Sequence, residues 1–198
     1  MITALTYTEA VTLMDENYEN PDLRTKLIIA GLDELDTHGV TDFSLRRVAS
    51  KCGVSCAAPY RHFKNKDELI LEIIGYIVSR WQLLEKQIEE VCSDSLPELI
   101  TELSLALIRF RAANPEFRAV LRMDTRAFDE KQRTDLSKFT ERILYYADKY
   151  FSPYGEKTLA GKKFMLISMI YGAGEISDSY DGEFPLETVR ACLEELFG

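Results

Sequence analysis

Apolar residues recur at intervals of three and four along most of this chain, and no stretch alternates strictly for long enough to build a half-buried strand. The longest run places Leu69, Ile70, Ile73, Ile77, Trp81, Leu84, Ile88 and Val91 on one helical face and ends at the SDS of residues 93–95. Such a stripe needs other helices to cover it. The expected fold class is therefore all-α, with about nine helices in total.

Start and stop signals divide the pattern. Asn20 followed by Pro21 predicts an N-cap and a first helical residue, and Leu23, Leu27, Gly31 and Leu35 continue as a buried stripe that closes at Gly39 after His38. Ser44 predicts the cap of a short second helix with Leu45, Val48, Ala49 and Cys52 on one face; Gly53 ends it, and Ser55 is placed to cap a third. Two short helices around a glycine turn form a helix-turn-helix, with Val54 as an apolar wedge. Asn65 and Glu68 open the long fourth helix, and Ser95 with Glu98 forms a capping box for a fifth, which stops before Asn114-Pro115. A short sixth helix is expected from about Glu116, a seventh over Glu130 to Phe151, an eighth from about Lys157 to Ser177 and a ninth from Pro185 to Phe197. Residues 1–21 read either as a loose arm or as a weak helix.

The charge is unevenly distributed. The chain of 198 residues carries a net charge of −9, which argues against coating nucleic acid or anionic membrane with the whole surface. From Asp22 to Lys66, however, eight Lys and Arg face five Asp and Glu, so this is the one positive segment. Within it, CGVSCAAPYRHFKNKDEL gathers Arg61, His62, Lys64 and Lys66 around Tyr60 just after the glycine turn. Cys52, Cys56, Cys92 and Cys192 do not have the spacing of a C-x-x-C metal or redox motif and read as reduced thiols. The amino terminus lacks a basic region and a continuous apolar run, and no segment approaches the ~20 apolar residues that span a bilayer, so a cytoplasmic protein is expected.

With Arg24, Ala30, Gly39, Val48-Ala49, Gly53-Val54-Ser55, Tyr60, His62-Phe63, Lys66 and Glu68-Leu69 in place, the chain resembles the TetR family of transcriptional regulators over roughly residues 22–70. The resemblance implies a homodimer that presents its third helices to successive major grooves of operator DNA, and a divergent helical core that binds a small-molecule effector. It also implies repression released by that effector, although some members activate. The expected domains are an arm over 1–21, the three-helix DNA-binding module over 22–67, and a larger helical ligand-binding and dimerisation bundle over 68–198. Tyr60, His62 and Lys66 match family positions that touch the DNA backbone.

Docking geometry adds the residues that face base edges. In a helix-turn-helix these lie at the start of the third helix, here Ser55, Cys56 and Ala57, all small, so that readout leans on hydroxyl contacts and on thymine methyls. Ser44 and Arg46 of the second helix, with Arg47 as a further candidate, would set register. For the effector the candidates are Trp81, Phe110, Met123, Phe139, Tyr146, Met165 and Met169, each of which serves equally well as bundle core. In the eighth helix Ile170 and Gly174, within ISMIYGAGEI, and in the ninth Val189, Leu193 and Leu196 are the candidates for a four-helix dimer interface. No cofactor or metal is called for.

Two rival readings belong to other classes. An all-α enzyme has little to work with, since His38 and His62 are the only histidines and no phosphate loop or nucleophile motif occurs. An adaptor using the helix-turn-helix on a protein partner would have no need of the positive segment, and salt-dependent DNA binding separates the two.

Overall fold

The structure is a computed structural model that describes residues 21–92, 94–114, 117–118, 120, 130–178 and 185–198. Among these residues there are seven α-helices and no strand: α1 Leu23–His38, α2 Leu45–Lys51, α3 Lys66–Val91, α4 Leu96–Ala113, α5 Glu130–Phe151, α6 Glu156–Asp178 and α7 Leu186–Glu194. Two single 3-10 turns, Pro59–Arg61 and Ser152–Tyr154, complete the set, where about nine helices were expected. The expected arm and most of the expected sixth helix lie outside the described residues. The chain forms two compact units, the first running through Arg80 and including residues 114–136, the second comprising residues 81–113 and 137–198.

In the first unit α1 starts later than Asn20-Pro21 suggests. Asp22 is the cap, its carboxylate accepting the Thr25 N–H at 2.8 Å, because an Asp three residues before a free helical N–H outcompetes water for it. The helix closes on Gly39, whose φ of 67° suits glycine and whose N–H donates to the Leu35 carbonyl at 2.9 Å. Gly31 is buried where α1 meets Phe43 and α3. A Cβ there would stand 2.6 Å from Ile73 Cδ1. Arg24 bridges the same elements, paired with Glu72 at 2.6 Å and lying 5.5 Å above the Phe63 ring.

Ser44 caps α2, and Leu45, Val48 and Ala49 are buried. Gly53 takes φ 67°, as the turn requires, while Val54 is only half-buried. The segment after it departs from expectation. No α-helix opens at Ser55: Ala58 N–H donates to the Ser55 carbonyl at 2.9 Å and His62 N–H to that of Pro59 at 3.0 Å, both three-residue bonds. Proline at 59 has no N–H to give Ser55 the four-residue bond of an α-helix, and its ring crowds that carbonyl, so the chain tightens into a 3-10 turn. Asn65 then caps α3, accepting the Glu68 N–H at 2.9 Å, while the Glu68 carboxylate reaches back to Lys64 N–H.

The second unit is built on α4, which packs against α6 and α7. The expected stripe Leu99, Leu103, Leu107 and Phe110 is buried, and Ser95 caps the helix through the Glu98 N–H. Helix α7 is shorter than the pattern suggests. It ends at Glu194, where the N–H groups of Leu196 and Phe197 turn to three-residue bonds with Leu193 and Glu194. Phe197 stacks on Phe151, their ring centres 5.6 Å apart, and Lys162 donates to the Leu196 carbonyl, fastening the tail.

Candidate nucleic-acid interface and ligand cleft

The glycine turn and the 3-10 turn together present one outward edge. Ser55, Cys56, Ala57, Tyr60, Arg61, His62 and Lys64 are exposed, Tyr60 at 60%, while Ala58, Pro59 and Phe63 between them are buried and pin the segment down. Arg46 is exposed on α2. Ser44 is half-buried and already engaged as a cap, so its hydroxyl accepts from Arg47 N–H at 3.5 Å. Lys66 is half-buried at the start of α3 and its ammonium donates to the Val40 carbonyl at 3.4 Å. Asp67 and Glu68 place negative charge on the first turn of α3, which favours the helix but weakens its N-terminal field.

Glu34 organises the inner side of this edge, and the helical pattern alone does not single it out. Its side chain is 0% exposed, yet one carboxylate oxygen accepts Ser44 N–H at 3.1 Å and Arg47 Nε at 2.7 Å. His38 and Lys51 stand 3.4 and 3.7 Å from the other oxygen. Burial pushes the Glu34 carboxyl up, but the hydrogen bonds from Arg47 and Ser44 and the charges of Arg47 and His38 outweigh it and hold it below the usual carboxylate value. Arg47 is thus tied to Glu34 of α1, with a further bond to the Asp42 carbonyl, although it stays exposed as Arg46 does. A glutamate one position before the stripe residue Leu35, with basic residues 13 and 17 positions later, was the available signal.

Of the effector candidates, Trp81, Phe110 and Phe139 come together in the second unit as a buried chain of tilted rings, with centre separations of 5.6 and 6.5 Å. Tyr146 is half-buried and its hydroxyl donates to Glu89 at 2.8 Å; burial first, then that carboxylate, pushes it up to about 12. Met169 is half-buried, Met165 is 50% exposed on α6, and Met123 lies outside the described residues. A cleft of about 500 Å³ lies between α3 and α5, lined by Gln82, Glu85, Lys138, Glu141, Arg142, Tyr145, Tyr146 and Lys149, with none of the three rings on its wall. Most of these are polar and stand outside the aromatic and methionine set expected from the sequence.

Of the dimer candidates, Ile170, Leu193 and Leu196 are buried within the chain itself, Val189 is half-buried, and Gly174 is covered by the Arg111 side chain, 2.8 Å from where a Cβ would stand. Phe164, Met165, Tyr171 and Ile176 occupy the exposed side of α6 instead, Phe164 at 75%. All four cysteines are free thiols. Among the described residues no cluster of three metal-binding side chains occurs, and no helix is long and apolar enough to cross a membrane.

Residues 27–73 match the profile of "Bacterial regulatory proteins, tetR family". No curated protein is detectably similar in sequence. Among solved structures, a transcriptional regulator from Rhodococcus sp. superposes with a TM-score of 0.69 at 17% identity, over 88% of this chain and 94% of that one. A TetR transcription regulator from Haloarcula marismortui gives 0.67 at 20% identity, over 87% and 95%. The transcriptional regulator FadR from Bacillus subtilis, solved in complex with stearoyl-CoA, gives 0.65 at 15% identity, over 87% and 96%. The likeness to the tetR family profile is confined to residues 27–73, and the fold of the chain is one that solved transcriptional regulators share.

Proposed function

We propose that the chain is a sequence-specific DNA-binding transcriptional regulator, a homodimeric repressor that leaves its operator when a small molecule binds the second unit. The observation that carries this is the outward edge after Gly53, where small Ser55, Cys56 and Ala57 precede exposed Tyr60, Arg61 and His62 on a backbone anchored by buried Pro59 and Phe63. Small side chains let the backbone approach base edges, and the cations and hydroxyls beyond them suit phosphate. Arg46 joins them from α2, while Ser44 acts through the position of that helix. The module is read as residues 22–67 and the regulatory bundle as 68–198.

Pairing is supported by the exposed apolar side of α6, where Phe164, Met165, Tyr171 and Ile176 are interleaved with Gly161, Ser168 and Gly172, small enough for a second helix to approach. Two copies would then space their edges by about 34 to 36 Å, one turn of B-DNA. A relative solved with stearoyl-CoA supports a ligand-responsive bundle as the regulatory element. Selection of bound fragments from random duplexes tests the reading. Binding to a recovered site should weaken steeply with salt, and Lys66→Ala should weaken binding to all sequences and lower the salt slope by about one. A protein that retains no duplex in dilute buffer overturns it.

A further inference from the structure

Two arginines stand side by side in the first turn of α2, and the fold holds one of them. Both are exposed, yet Arg47 is bound to the Glu34 carboxylate, its Nε donating to Oε1 at 2.7 Å and its Nη2 standing 2.5 Å from the same oxygen, with a further bond to the Asp42 carbonyl. Arg46 has no such hold among the described residues. The pair is lopsided: the Arg47 side chain is 44% exposed and that of Glu34 is 0%. Burial works against the charge on Glu34, and the bonds from Arg47 and from Ser44 N–H more than offset it, so at neutral pH the acid is ionised and needs a cation.

We propose that Glu34 is a positioning residue that limits how tightly the protein holds DNA of any sequence, by keeping Arg47 off the phosphates and leaving Arg46 as the arginine of α2 that DNA meets. This rests on the DNA-binding reading above. Were Arg47 to swing onto a phosphate, it would leave a buried carboxylate with only Ser44 N–H on one oxygen, and on the other no hydrogen bond, with His38 at 3.4 Å and Lys51 at 3.7 Å. Stripping one partner from a buried pair costs more than a single solvated phosphate contact returns, so Arg47 stays with Glu34 when DNA arrives. A phosphate contact strengthens binding to every duplex, and random sites vastly outnumber any operator. The arginine withheld therefore reduces how much of the protein such sites sequester.

The test measures binding of the full-length protein to a random-sequence duplex across a salt series, with circular dichroism and thermal melts checking that each variant folds. Arg46→Gln should lower the salt slope by about one. Arg47→Gln keeps a donor for Glu34 without the charge, and should leave slope and affinity unchanged within about twofold. Glu34→Gln keeps an acceptor for Ser44 N–H but frees the arginine; it should steepen the slope by about one and tighten binding in dilute buffer about threefold or more. Adding Arg47→Gln to it should cancel both changes, which a merely structural role for Glu34 would not do. Equal slopes for the two arginine variants, a Glu34→Gln slope that stays level or falls, or a double variant that keeps the gain overturns the proposal. Should Glu34→Gln fail to fold, the two arginine variants decide alone. An unaltered protein that retains no duplex overturns the DNA-binding reading and this with it, whereas any of the contrary slopes in a protein that does bind overturns this alone.

Discussion

Glu34 and Glu85 are both buried glutamates on helices, and their surroundings drive them in opposite directions. Glu34 has Arg47, Ser44 N–H and His38 to favour its charge, so its folded value lies below the ordinary 4.5. Its contribution to stability is complete above that value and is lost as pH falls through the lower folded one. Glu34→Ala leaves Arg47 and the Ser44 N–H without their acceptor and should cost roughly 1 to 3 kcal/mol in urea unfolding at neutral pH, with the difference shrinking in acid. Glu85 has the reverse sign. Since the folded chain holds its proton up to about 8 and the unfolded chain releases it near 4.5, stability falls as pH rises through that window, by about 1.4 kcal/mol per unit at most. Glu85→Gln should remove this slope, which melts between those limits will read.

At the scale of elements, the edge between α2 and α3 depends on two residues that restrict the backbone in different ways. Gly53 supplies a positive φ that other residues adopt only at a cost, and open space around it means the cost of Gly53→Ala is conformational, about 1 to 2 kcal/mol in thermal melts, with Gly53→Asn losing less. Pro59 shortens the segment before α3 to a 3-10 turn, and this exposes Tyr60 and His62 close to the glycine turn itself. The glycine was legible because a left-handed position has a clear residue preference. The 3-10 outcome was less so. Proline near the start of a helix is ordinarily tolerated, and only the placement of Ser55 in the first turn makes its missing N–H decisive.

For the molecule as a whole, the reading as a repressor stands on pairing. Phe164→Glu puts a charge on the most exposed aromatic of α6 and should shift sedimentation toward the monomer and weaken operator binding together, with the melting of each chain little changed. Were Phe164→Glu to remain paired, α6 would not be the interface.

The amino-acid pattern by itself determined that the chain is helical, where most helices start and stop, and that a glycine turn introduces a basic segment, because caps, periodicity and positive-φ turns are local and each has its own residue signature. It did not determine which side of a helix faces solvent when both sides carry apolar residues: Leu193, Leu196 and Ile170 went inside while Phe164 and Tyr171 stayed out. Nor did it distinguish Arg46 from Arg47, or reveal that Glu34 and Glu85 are buried. Those outcomes depend on which helices meet, and burial and charge pairing between residues distant in sequence exist only once they have met.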